Sequence, residues 1–343
     1  MLTDLRRQLA PLLTAGYGEA VERWTSRHLA DLPDLATAYR AYTLADRNLN
    51  RPLLTLVGYG ARRGGLGAEL YDEVGPACFV AQVVRDFLAI HDDVVDGDRE
   101  KFGQPTLPAV LGNEAAIFFG DLLLGLVGDL IAGASIPAEA RHRLQTRVLR
   151  ALRRVQHGQL TELALQRRPL REIRTETLLK VYADKAAEYC YVLPFEIGIV
   201  LAGESSALAD AVRPVLLDIG VASQIIDDIA GQTTGSGKDT PGELLHLRRT
   251  VLLSELSSRI PSGHPLEAAL SGQTATADDI PAIREAFVSS GALHATGRRA
   301  EALADRTRAA IPTLPLGGPA TEYLMDLLAA RVTDNLASWT TEE

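Results

Sequence analysis

Phe87-Leu88-Ala89-Ile90-His91-Asp92-Asp93-Val94-Val95-Asp96-Gly97-Asp98 is the stretch on which the reading of this chain turns. An apolar run delivers three carboxylates within five positions and then stops at a glycine. Read as helix, Asp92 and Asp96 stand one turn apart with Cβ atoms about 5–6 Å from one another, where like charges destabilise a helix by roughly 0.2–0.5 kcal/mol. They also crowd a C-terminal helix end, where the backbone dipole already leaves partial negative charge. A bridging divalent cation reverses both signs.

The same arrangement returns downstream. Asp227-Asp228 follows Ser223-Gln224-Ile225-Ile226 and leads into the glycine-containing loop Gly231–Lys238, and is read as a second acidic pair at a helix C-terminus. One pair alone also reads as a solvated helix end. The repetition favours metal: hard carboxylate oxygens with positions left open for phosphate and water suit magnesium, and two such clusters can clamp one diphosphate. Magnesium neutralises only part of that charge, so cations must reach the remaining oxygens. Lys101, Lys185, Lys238 and Arg248 are placed for this in sequence. Arg47, Arg51 and Arg85 are candidates for a second, metal-free anion pocket. Arg85 and Asp92 are seven residues apart, two helical turns or about 10 Å, so both can face one cavity at different heights.

The rest of the chain supports a helical frame. Of 343 residues, 46% are hydrophobic but only 5% aromatic, with leucine and alanine dominant, which favours helix over sheet. Apolar residues recur at three- and four-residue spacing through 5–13, 76–90, 115–131, 141–165, 178–201, 207–229 and 322–337. Breaks rich in glycine, proline and small polar residues fall at 58–67, 97–108, around Pro169 and at 231–242, and read as loops rather than linkers. The expectation is an all-α chain forming a single domain over 1–343. Its first forty residues form N-terminal helices, and a mobile loop lies at 260–280.

A formal charge of −9 argues against nucleic-acid binding, which needs a basic surface. The two cysteines, Cys78 and Cys190, sit in apolar stretches, which excludes a disulfide framework or multi-cysteine metal site and fits a reducing cytoplasm. The N-terminal residues carry Asp4, Arg6 and Arg7 and lack a secretory pattern. The apolar segment 117–134 is interrupted by Asp121 and Asp129, costly in lipid, and is read as a buried core helix rather than a membrane span.

Together these residues resemble the trans-isoprenyl diphosphate synthase (polyprenyl synthetase) family, in its short-chain geranylgeranyl and farnesyl type. The run 90–98, ending in Gly103-Gln104-Pro105-Thr106, is similar to the family's first aspartate-rich motif and its sequel. Gly120-Asp121, Gly158-Gln159 with Glu162, Lys185, Gln224 to Asp228, Gly237-Lys238 with Arg248 and Thr250, and Ser289-Ser290-Gly291-Ala292 follow in the family's order, so the likeness covers roughly residues 40–335. The resemblance implies an isoprenoid-synthase-type helical bundle around a deep central cavity, usually homodimeric, with three magnesium ions. It implies Asp92, Asp96 and Asp227 as metal ligands, and Asp93 and Asp228 within the same catalytic motifs. Lys185, Lys238 and Lys101 are implied on the allylic diphosphate, Arg51 and Arg85 on isopentenyl diphosphate, and Gln224 at the reacting carbons.

Departures touch substrate grip more than metal binding. Gly231 stands where the second motif expects an aspartate. Asp46-Arg47-Asn48 replaces a Gly-Gly-Lys segment, Lys101-Phe102 stands at a pair of arginines, Arg248 replaces a lysine, and Ala186 a threonine. A terpene cyclase on the same fold would need the metals but not isopentenyl diphosphate, and is the alternative. Phe87, five residues before Asp92, is expected one turn below the metals as the floor that limits products to fifteen or twenty carbons, twenty preferred. It reads equally as a core aromatic.

Overall fold

In the computed structural model, the residues described are 1–45, 49–101, 103–233, 242–271 and 275–336. Seventeen α-helices account for most of them. They run α1 (Leu2–His28), α2 (Pro33–Ala45), α3 (Asn50–Tyr59), α4 (Glu69–Val74), α5 (Val80–Asp96), α6 (Leu107–Leu111), α7 (Asn113–Ala132), α8 (Ala138–Gln166), α9 (Thr175–Tyr182) and α10 (Leu193–Leu201). After these come α11 (Ser206–Thr233), α12 (Gly242–Leu245), α13 (Val251–Arg259), α14 (Glu267–Ser271), α15 (Asp279–Ser289), α16 (Ala292–Ala310) and α17 (Gly318–Leu328). The described strands are β1 (Glu100–Lys101) and β2 (Gln104–Pro105), an antiparallel pair. The all-α expectation holds.

The chain packs as two compact units: Met1–Leu152 with Tyr189–Ala211 and Pro315–Tyr323, and Arg153–Glu188 with Val212–Leu314 and Leu324 onward. The boundaries fall inside α8, α11 and α17, in the stretch between α9 and α10 and just before α17, so neither unit is continuous in sequence.

In the first unit α1 buries Leu2, Leu5, Leu9, Leu13, Tyr17, Val21 and Trp24, a stripe at three- and four-residue spacing. Helices α3 and α10 approach closely because both carry a glycine at the crossing. A Cβ on Gly58 would lie 2.3 Å from the carbonyl oxygen of Phe195, and one on Gly198 2.1 Å from that of Thr55. Helix α5 packs on α7, where a Cβ on Gly120 would meet His91 Nε2 at 2.7 Å. In the second unit α13 packs on α16, which turns Ala292, Ala295, Ala300 and Ala304 inward.

Three expectations are corrected. Helix α11 does not stop at Gly231 but continues to Thr233, because its last turn is anchored: the Gln232 amide bonds to Thr250 (3.2 Å) and its carbonyl accepts from Arg284 (3.1 Å). Segment 260–280 includes the short helix α14, so its described part is not one continuous loop. Helix α7 is not a buried core helix. It has the length and mean hydropathy (1.9) of a membrane span, as does the stretch Glu69–Asp96 (1.2). It buries only one face, through Ala116, Phe119, Leu123, Leu126 and Ile131, while Ile117, Phe118 (75% exposed), Leu122 and Leu124 face outward.

Between α9 and α10, residues Ala183–Val192 form a π-helix. Pro194, in the first turn of α10, has no N–H to offer the carbonyl four residues earlier, and the wider turn accommodates it. A second π segment, Ala329–Thr333, follows α17.

Candidate functional site

The first acidic motif forms the last turn of α5. Gly97, in the left-handed region at φ 70°, ends the helix, and the Asp98 N–H closes back onto the Asp93 carbonyl at 3.0 Å. The two aspartates of the pair differ in surroundings. Asp92 is half-buried, whereas Asp93 is fully buried and both of its oxygens are engaged. The Tyr42 hydroxyl donates to its Oδ2 at 2.9 Å and the Lys101 ammonium to its Oδ1 at 2.6 Å. Burial pushes the Asp93 carboxyl up, opposed by Lys101 and Tyr42, and burial beside Asp93 pushes the Tyr42 phenol far up. The β1–β2 hairpin folds Lys101 back onto the helix that precedes it. Lys101, expected on the allylic diphosphate, is thus engaged by Asp93.

The second motif repeats this division in α11. Asp227 is exposed and lies 3.3 Å from the Arg331 guanidinium of the terminal π segment. Asp228 is 7% exposed, accepting from the Tyr182 hydroxyl and, at 2.7 Å, from the Gln224 amide. The Tyr182 oxygen itself accepts the Val251 N–H at 3.0 Å, tying α9 to the start of α13. Burial and the neighbouring Asp228 push the Tyr182 phenol well up, so it stays protonated as the donor. Gln224, expected at the reacting carbons, donates to Asp228.

Lys185 lies in the π-helix and its ammonium meets Glu162 Oε2 of α8 at 2.7 Å. Gly158 permits the contact: a Cβ there would lie 3.2 Å from the Lys185 backbone nitrogen. Arg248 sits in a constrained turn, with Leu247 at φ 42° before it. Buried Arg249 follows, donating to the Leu247 carbonyl (2.8 Å) and to that of Arg168. Lys238 and Arg47, with Asp46 and Asn48, lie outside the described residues, as does Phe102.

The expected second anion pocket is represented by Arg51 and Arg85. Arg51 donates to Cys190 Sγ at 3.0 Å and lies over the Tyr189 ring at 5.1 Å. Arg85 is 5% exposed and paired with buried Asp86 at 3.1 Å, which also accepts from Tyr17 and Gln82. Phe87 does not share the Asp92 face. Five residues overshoot one 3.6-residue turn, leaving it about 140° around the helix. There it is 1% exposed and packs edge-on against His91, ring centroids 4.7 Å apart. Half-buried Leu88 and Ala89 are the residues of this run on the Asp92 side.

Tyr42, Tyr182, Arg331 and the Tyr189-Cys190 pair were not among the sequence candidates. Tyr182 neighbours Lys185 in sequence; the others carry no local signal. Among the described residues no three metal-ligating side chains form a ready-made cage. The donors within each motif nevertheless fit magnesium, which binds through one or two carboxylates and takes its other oxygens from phosphate and water. Asp92 and Asp96 on successive turns of α5 are such donors in the first unit, and Asp227 in α11 is one in the second.

Residues 33–284 match the family model described as polyprenyl synthetase. A geranylgeranyl diphosphate synthase of Mycobacterium tuberculosis is 26% identical over 335 residues, covering 91% of this chain and 89% of its own. Among solved structures, a decaprenyl diphosphate synthase from Rhodobacter capsulatus superposes with TM-score 0.81 at 21% identity, covering 97% of this chain and 99% of its own. A geranylgeranyl pyrophosphate synthase from Corynebacterium glutamicum, complexed with isoprenyl diphosphate and magnesium, gives 0.80 at 24%, covering 94% and 98%. With the family model spanning most of the chain and both acidic motifs falling inside it, the chain belongs to the polyprenyl synthetase family and is a trans-prenyltransferase.

Proposed function

We propose that this protein is a magnesium-dependent short-chain prenyl diphosphate synthase, condensing an allylic diphosphate with isopentenyl diphosphate to a trans product of fifteen to twenty carbons, twenty preferred. The observation that carries the reading is the shared division of labour in the two motifs. In each pair the second aspartate is buried and held by a tyrosine, and the first, Asp92 or Asp227, is the more accessible. A carboxylate kept at a helix surface beside other carboxylates is stabilised by a cation.

Magnesium bound there, in the three-ion set the family resemblance implies, supplies electrostatic stabilisation of diphosphate as a leaving group. Asp92, Asp96 and Asp227 hold it; Asp93 and Asp228 fix the helix turns from which those ligands project. Lys185, Lys238, Lys101 and Arg248 bind the allylic diphosphate oxygens. For Lys101 and Lys185 this means exchanging a carboxylate partner, Asp93 or Glu162, for phosphate. Arg51 and Arg85 hold isopentenyl diphosphate so that its double bond meets the allylic carbon, a positioning effect. Gln224 orients from the helix face next to Asp227. No side-chain nucleophile is required, and the released diphosphate takes the proton.

The relatives' names support synthase over cyclase, and magnesium in the Corynebacterium complex supports the metal. Product length is assigned to the Asp92 side of α5, Leu88 first, with Phe87 behind as packing. The outward apolar face of α7 supports a homodimer, and the two free cysteines support a reducing cytoplasm.

The test is incubation with magnesium and dimethylallyl, geranyl or farnesyl diphosphate, with and without isopentenyl diphosphate, followed by product analysis. Elongated diphosphates that require isopentenyl diphosphate are the expected result. Hydrocarbons formed without it would assign the cyclase reaction instead.

A further inference from the structure

Helix α8 opposes the charge balance of the chain. The whole carries −9, yet α8 holds six arginines against Glu139 and Glu162. Three of these, Arg143, Arg147 and Arg150, stand at i, i+4 and i+7 and share a face, where like charges repel. That face forms one wall of a groove of about 270 Å³ within the first unit. The opposite wall is the end of α10 and the start of α11, through Ser205 and Ser206.

The acids nearby are already matched. Glu196, 3% exposed, pairs with Arg147 at 3.2 Å. Glu204 pairs through its carboxylate with Arg62 at 3.3 Å, while its backbone carbonyl accepts from Arg143 at 3.2 Å. Arg143 and Arg150 have no carboxylate partner among the described residues, and His142 also lines the groove. Ser205 and Ser206 open a 28-residue helix whose first turn holds no acidic residue, and Glu204, which precedes it in the groove, has its carboxylate on Arg62. Thr146 adds a hydroxyl beside the arginines.

We infer that this groove is a binding site for a small phosphate-bearing anion, separate from the residues assigned to the two substrates. Arginine forks, hydroxyls and helix N–H groups are the donors that recognise phosphate. The volume lies just below the usual range of ligand pockets, about 300–1,000 Å³, which suits a phosphate or diphosphate group rather than a prenyl chain; the arginines and hydroxyls supply the polar part of a lining that Ile199, Val200 and Ala209 complete.

The experiment is calorimetric titration of the full chain with inorganic diphosphate in EDTA, so that no divalent ion links the ligand to the acidic motifs. The expected result is saturable binding with a component that is weakened at least tenfold in Arg150→Glu and in Arg143→Ala and that persists in Arg51→Ala, which removes only what binds at the second-substrate pocket. Arg150 is exposed, so its variant retains the parent's thermal unfolding and remains informative if Arg143→Ala does not fold. Binding lost in Arg51→Ala but intact in Arg150→Glu would place the ion in the second-substrate pocket and overturn the assignment. Absence of saturable binding would overturn it too, as would flotation with phosphatidylglycerol vesicles without any response to diphosphate. Prenyl transfer is not read in this titration, so failure here leaves the synthase reading untouched.

Discussion

Asp227 and Asp228 are adjacent, yet their substitution should fail in different ways. Asp228→Ala strips the acceptor from the buried Tyr182 hydroxyl and should lower unfolding free energy by about 1–3 kcal/mol. Asp227→Ala, at an exposed position, should leave stability within about 0.5 kcal/mol but cut turnover on the order of a hundredfold. Urea unfolding and steady-state kinetics on the two variants separate these outcomes; the opposite pattern would exchange their roles. A subtler residue is Cys190, whose sulfur accepts from Arg51. Cys190→Ala should raise KM for isopentenyl diphosphate several-fold with kcat unchanged, and Cys190→Ser, which keeps an acceptor, should restore it. The acidic pairs were legible in the sequence because carboxylates at helical spacing next to apolar runs are conspicuous. Which member of each pair is buried was not, because Tyr42 lies 51 residues from Asp93 and Tyr182 lies 46 from Asp228.

At the scale of elements, periodicity locates the helices but not their contacts. Gly58 and Gly198 read only as small residues in apolar runs, yet they permit the α3–α10 crossing. Gly198→Ala places a Cβ 2.1 Å from the Thr55 carbonyl and should destabilise by about 1–3 kcal/mol or more, measured by chemical unfolding. The stop assigned at Gly231 misses because glycine weakens a helix without ending it, and here Gln232 makes the deciding bonds. The π-helix carrying Lys185 is hidden for a related reason: one widened stretch barely disturbs an apolar pattern, and only Pro194 marks it. On α5, Phe87 illustrates the cost of counting residues without angles. Phe87→Ala should lower stability by about 3–5 kcal/mol, as befits a buried ring. Leu88→Ala should lengthen the product, as read by chromatography of the dephosphorylated alcohols; an unchanged product distribution would remove the wall from that face.

For the whole molecule, hydropathy identified α7 as apolar but not which side of it is covered. Its outward Ile117, Phe118, Leu122 and Leu124 form the exposed apolar face on which the proposed homodimer rests. Phe118→Glu should shift the mass measured by light scattering from dimer to monomer, with little change in helical content. The charge balance is equally uneven, with an acidic chain carrying a basic α8, a contrast visible in the sequence but without meaning until the groove beside it is known.

The proposed reaction depends on carboxylates that bind substrate through metal. Titration with Mn2+ followed by electron paramagnetic resonance, with a non-ionising allylic diphosphate analogue present, measures this directly. Bound ions should number more than one per chain and should fall in Asp92→Asn, Asp96→Asn and Asp227→Asn, each with its parent's thermal unfolding. Undiminished ion binding in all three variants would contradict it.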